Sequence, residues 1–95
     1  MEVTTQLIEK SFRAYYRALC LYAWDVVKSE ADAEDVVQGV FAEMLERCAE
    51  GKRQEVEDVK RYLAVSVRNA GRRWLRDRQG RETGVDVEEL SAEEE

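Results

Sequence analysis

The chain has no histidine and no proline, only two cysteines and five glycines in 95 residues. Without histidine, neither a His-based catalytic triad nor a Cys/His zinc site can be assembled. With no proline to interrupt them, long helices are favoured. Cys20 and Cys48 fall at apolar positions of expected helices, where two buried free thiols are more natural than a disulfide in a reducing compartment. No stretch approaches the roughly 20 apolar residues of a membrane span, and the N-terminus MEVTTQLIEK has no basic-then-apolar leader pattern. The chain is therefore expected to be cytoplasmic, without membrane contact.

What is present is charge. Charged residues make up 38% of the chain and apolar residues 44%, enough for one modest core under a charged surface. The net charge of -6 conceals a segregation. Residues 1–59 carry 7 bases and 13 acids, residues 60–81 carry 8 bases against Asp77 alone, and residues 82–95 hold 7 acids and no base. An acidic body, a basic helix and an acidic tail point to a nucleic-acid contact confined to one element.

Apolar spacing gives three helices and an all-α fold. The first is expected from Thr5 to Lys28, with Ile8, Phe12, Tyr15, Leu19, Tyr22 and Val26 as its stripe. Leu7, Tyr16, Ala23 and Val27 widen that stripe enough for two neighbours. The second follows Ser29-Glu30-Ala31-Asp32, with Asp32 as the expected cap, and has its apolar positions at Ala33, Val36, Val37, Val40, Phe41, Met44, Leu45 and Cys48. Gly51 suits a left-handed end to it. The third is expected from near Asp58 to near Gln79, with Val59, Leu63, Val67, Ala70 and Trp74 on its core face and Gly80 as its stop. The expected core is Phe12, Leu19, Val37, Phe41, Met44, Leu63, Val67 and Trp74. Residues 1–81 form the helical domain, monomeric alone, and 82–95 a disordered acidic linker or tail.

Two exposed faces remain. Arg61, Arg68, Arg72 and Arg76 fall within about 80° of one another on the third helix and run for about 22 Å, with Arg73 beside them. A charge run is usually a solvated face, but acids at i±4 are nearly absent here and the arginines would repel one another. Phosphates are the better explanation. Tyr62, Val65 and Asn69 flank the ridge, where an aromatic, an aliphatic and an amide can stack on and hydrogen-bond an unpaired base; partial burial is the simpler role for Tyr62. On the second helix, Asp35, Gln38, Gly39, Ala42 and Glu46 form a face with its smallest residues in the middle. Gly39 costs about 1 kcal/mol relative to alanine there. Close approach of a partner helix and simple tolerance of glycine explain it equally well.

Two segments carry a family resemblance. Asp32-Ala-Glu-Asp-Val-Val-Gln-Gly-Val-Phe41 is similar to the D-A-E-D-hydrophobic-x-Q-x-x-F signature of region 2 of bacterial extracytoplasmic-function (ECF) sigma factors, and Tyr62-Leu-Ala-Val-Ser-Val-Arg-Asn69 with its basic run resembles that family's W/Y-L-x-x-(I/V)-A-R-N segment. The resemblance covers about residues 10–80. It implies a compact three-helix domain of the sigma region 2 type, non-enzymatic and free of cofactors. Its helix bearing Asp35, Gln38, Gly39, Ala42 and Glu46 would dock on the β′ clamp helices of core RNA polymerase. Arg61, Tyr62, Val65, Arg68, Asn69, Arg72, Arg73 and Arg76 would engage the non-template −10 strand of a promoter. The loop containing Glu50, Gly51, Lys52, Arg53, Gln54 and Glu55 would help hold a flipped base. An anti-sigma protein is a further partner the resemblance allows.

Gly39 stands where the family often has an acid, and Leu45 where it often has Trp. Such factors continue into a second domain that reads the −35 element, so an isolated or shortened form is expected. Two other classes compete. A helical adaptor whose basic helix meets an acidic protein would lack preference among DNA sequences. An enzyme would need a phosphate-binding glycine loop or converging carboxylates; Asp32, Glu34 and Asp35 lie in one turn and are better explained as a helix start.

Overall fold

The computed structural model describes residues 1–83, with side chains placed as far as Arg78. It contains α1 (Thr5–Val27), α2 (Glu30–Ala49) and α3 (Val59–Thr83), each pair packed together. The α1–α2 connection is Lys28-Ser29 alone, which forces the two helices antiparallel. Lys28 takes φ 62°, and its N–H bonds the Trp24 carbonyl at 2.8 Å. A left-handed residue is required there, and Lys28 occupies the position with its ammonium 5.3 Å from the Trp24 ring centroid.

Ser29, not Asp32, caps α2: its Oγ accepts from the Asp32 N–H at 3.4 Å. The two-residue turn brings the helix start forward by three positions, so Asp32 lies in the first turn, where its charge still complements the helix dipole. At the other end Gly51, at φ 81°, donates to the Cys48 carbonyl at 3.1 Å and Lys52 to the Arg47 carbonyl at 3.0 Å. This is the Schellman arrangement expected for that glycine.

The core is one layer between the three helices. Leu19, Val37, Phe41, Met44, Leu63 and Val67 are buried as expected, and Trp74 is half-buried against them. Phe12 is corrected: it is 38% exposed, and Tyr22 is exposed too. The inward stripe of α1 is Ile8, Ser11, Leu19, Ala23 and Val27. At the C-terminal end of α1, α3 comes close, with Gly71 lying against Val26 and Val27. Phe12 is displaced to the rim, where it stacks on Tyr16 (centroids 4.7 Å apart) and meets Phe41 edge-on (5.0 Å).

Gly80 does not stop α3, which continues to Thr83. A single glycine costs about 1 kcal/mol in a helix, a penalty the neighbouring helix formers can absorb. Glu82 and Thr83, expected as the start of the acidic tail, belong to α3, and the rest of that tail lies outside the described residues.

The two mid-helix glycines should respond oppositely to substitution. A Cβ at Gly39 meets nothing within 4 Å, whereas one at Gly71 would lie 3.1 Å from Val26 Cγ1. Gly39→Ala should raise unfolding free energy by up to about 1 kcal/mol, and Gly71→Leu should lower it by about 1–3 kcal/mol. Urea titration followed by circular dichroism measures both.

Candidate nucleic-acid interface

The N-terminus of α3 is set by Asp58. Its carboxylate accepts from the N–H groups of Lys60 (3.1 Å) and Arg61 (3.2 Å), and its carbonyl accepts from Tyr62 (2.9 Å). This cap places Arg61 and Tyr62 on the first turn, next to the preceding loop. Leu63 and Val67 then turn one face of α3 wholly into the core, which puts Arg61, Arg72, Arg73 and Arg76 on the surface with Val65 and Asn69.

The electrostatics of that surface follow from missing partners. Among the described residues, no carboxylate lies within ion-pair distance of Arg61, Arg68, Arg72, Arg73 or Arg76. Two other bases of α3 are engaged. Arg78 pairs with Asp32 of α2 at 3.4 Å and lies 5.1 Å from the Trp74 ring centroid. Lys60 is 5.9 Å from that of Tyr15. Arg68 is half-buried, and its Nε is shielded from solvent without a hydrogen-bond partner. The only other such donor among the described residues is Nε2 of Gln54, in the loop. Both orphaned donors therefore belong to the expected DNA-binding set. A buried donor without an acceptor costs about 1–3 kcal/mol.

Two hollows border the ridge. One, of about 190 Å³, lies between α2 and α3 and brings Tyr62, Ser66, Asn69 and Arg73 against Val40, Glu43, Met44 and Arg47. The other, of about 530 Å³, is formed by Glu55 to Asp58 with Arg61, Tyr62 and Val65. Half-buried Tyr62 stands between them and lines both, so it packs on the body while part of its side chain stays open to the hollows. Glu55 joins the second hollow, but Glu50, Gly51, Lys52, Arg53 and Gln54 line neither. The roles of Ser66, Glu43 and Arg47 in these walls were not legible in the sequence, since they depend on how α2 crosses α3.

The outer face of α2 is built separately. Asp35, Gln38, Gly39, Ala42 and Glu46 are all exposed. The Gln38 amide donates to the Tyr16 hydroxyl at 3.0 Å, tying this face to α1. Gln38 and Ala42 also border an apolar groove of about 530 Å³ with Ile8, Glu9, Phe12, Arg13, Phe41 and Leu45. Phe12 and Leu45 extend the face beyond the residues expected of it. Burial pushes the Cys20 thiol above its ordinary range, against the hydrogen bond to Tyr16 and with help from Glu34, which disfavours the nucleophilic thiolate. No group of three or more His, Cys, Asp or Glu that could hold a metal ion occurs among the described residues, and no helix there is long and apolar enough to cross a membrane.

A family model described as Sigma-70 region 2 matches residues 11–81. Neither a curated protein nor a solved structure matches the chain.

The cap is the local feature most open to test. Asp58→Ala should lower unfolding free energy by about 0.5–2 kcal/mol. It should also raise amide hydrogen exchange at Arg61 and Tyr62 above that in the middle of α3, as measured by nuclear magnetic resonance.

Proposed function

We propose, from the premise that this chain belongs to the Sigma-70 region 2 family, a division of labour between its two exposed faces. A sigma factor domain of this family works in transcription initiation with core RNA polymerase and promoter DNA. In our reading it is of the ECF type. The α3 ridge and the 50–57 loop hold the melted non-template −10 strand, and the outer face of α2 docks on the β′ clamp helices.

The observation that carries the DNA half is the row of arginines without acidic partners. The chain has 21 acids, yet none of those described forms an ion pair with the guanidinium of Arg61, Arg68, Arg72, Arg73 or Arg76. Left alone, these cations repel one another along the helix; a strand of phosphates relieves the repulsion and releases counterions. Tyr62 offers a ring face to a base, and Asn69 an amide that can donate and accept at a base edge. The polymerase half rests on Gly39. Its Cβ position is open, so the isolated fold does not require glycine, while a partner helix at 8–10 Å would.

Changing Arg61, Arg72 or Arg76 to Ala should weaken binding to every single-stranded −10 oligonucleotide alike and reduce the salt slope by about 0.7 per residue. Changing Asn69, or exchanging the 50–57 loop, should instead alter which base is preferred and leave the slope nearly unchanged. Titrations at several salt concentrations, with oligonucleotides varied at one base, separate the two. Equal affinity for every sequence and for a polyglutamate peptide would replace this reading with that of an adaptor for acidic proteins.

Gly39→Leu should keep the melting temperature of the isolated chain within a few degrees and weaken its binding to purified core polymerase roughly tenfold or more, about 1.4 kcal/mol. A pulldown titration measures this, and unchanged affinity would move the docking face elsewhere.

A further inference from the structure

The 50–57 loop does not hold itself in place. Its first residues complete the cap of α2, and at its far end Asp58 caps α3. Between those anchors its backbone is paired with the chain's first residues. The Val3 N–H donates to the Gln54 carbonyl at 2.9 Å, the Val56 N–H donates to the Met1 carbonyl at 3.0 Å, and Glu2 and Glu55 face each other in an antiparallel bridge. Arg53 sits near both carboxylates of that bridge, 3.4 Å from Glu2 and 3.9 Å from Glu55. Val3 itself is buried in the core, and its carbonyl accepts from the Cys48 thiol at 3.5 Å.

We infer that Val3 is a positioning residue for base choice, its buried side chain and its N–H bond to Gln54 holding the 50–57 loop in one conformation for the unpaired base. This rests on the reading of that loop as base-binding. The physical reason is preorganisation. Discrimination between bases needs donors and acceptors placed within hydrogen-bond tolerance before the base arrives. A loop freed from its backbone pairing adapts to any base and so prefers none, while the phosphate contacts of α3 are untouched. Gln54, whose carbonyl takes the Val3 bond and whose Nε2 is an orphaned donor, lies at the point where the pairing acts. Glu55 and Val56, the next two residues, form part of the wall of the hollow shared with Arg61 and Tyr62.

Val3→Pro in the full chain tests this, because proline keeps apolar bulk but has no N–H to donate. The readout is the ratio of affinities for −10 oligonucleotides differing at one base, taken at a temperature where circular dichroism shows each variant folded. The ratio should fall about 2- to 10-fold toward unity, with the salt slope unchanged. Val3→Ile, which retains both burial and donor, should preserve the ratio.

If Val3→Pro does not fold, Val3→Ala takes its place, with Val56 amide exchange showing that the loop has loosened. A loosened loop with the original ratio overturns the inference, as does a Val3→Pro chain with that ratio. Loop exchange separates the inference from the reading beneath it. If exchanging residues 50–57 changes the base preference while Val3 variants do not, only the role of Val3 fails. If loop exchange itself leaves the preference unchanged, the base-binding role of the loop fails and this inference with it.

Discussion

Everything in this fold depends on α1 being shared by its two neighbours. Ala23, Val37, Leu63 and Val67 are shut from solvent completely, one or two from each helix, in a core a single side-chain layer deep. In a chain this small there is no second core to bury another face. Each of α2 and α3 therefore turns one face to α1 and leaves the opposite face to solvent. α1 packs closely on α3 at Gly71, and at its other end Phe12 lies at the rim of the groove beside α2.

The division of charge follows from the same geometry. Acids dominate α2 and outnumber bases in the loop, and α3 carries five arginines with no ion-pair partner among the described residues. Where the two meet, the body takes up another base of α3: Asp32 in the first turn of α2 pairs with Arg78. That pair is exposed enough to contribute little to stability. Arg61, Arg68, Arg72, Arg73 and Arg76 form no ion pair with any acid among the described residues. Unpartnered cations are tolerable on a surface because water solvates them, and they remain available to a polyanion.

The helices were legible because apolar residues recur at spacings of three and four, and the end of α2 was legible because Gly51 has one conformational advantage that its position uses. The errors have equally specific causes. Periodicity ranks Phe12 above Ser11 by hydrophobicity, but Ser11 is the one that faces inward while Phe12 packs at the rim against Tyr16 and Phe41. Ser29 and Asp32 both suit a cap, and only the length of the turn decides between them. Gly80 resembles a stop in sequence, yet glycine ends a helix only where the chain turns left-handed. The face residues of α2 and α3 could be read off a helical wheel, whereas the hollows beside them could not, because Glu43, Arg47 and Ser66 meet across an interhelical angle that no single helix encodes. The pairing of residues 1–3 with the loop joins positions more than fifty apart through two hydrogen bonds, without a periodicity to announce it.

The central claim is that single-stranded promoter DNA is held by the outward face of α3 and the loop before it, and that the α2 face is left for another partner. The most direct measurement is a chemical-shift map of the full chain titrated with a −10 single strand. The account predicts shifts along Arg61, Arg68, Arg72 and Arg76, at Tyr62 and Asn69, and through residues 50–57, with Asp35 to Glu46 unchanged on the outer face of α2. Shifts centred on that α2 face, or no saturable shifts in α3 at low salt, would contradict it.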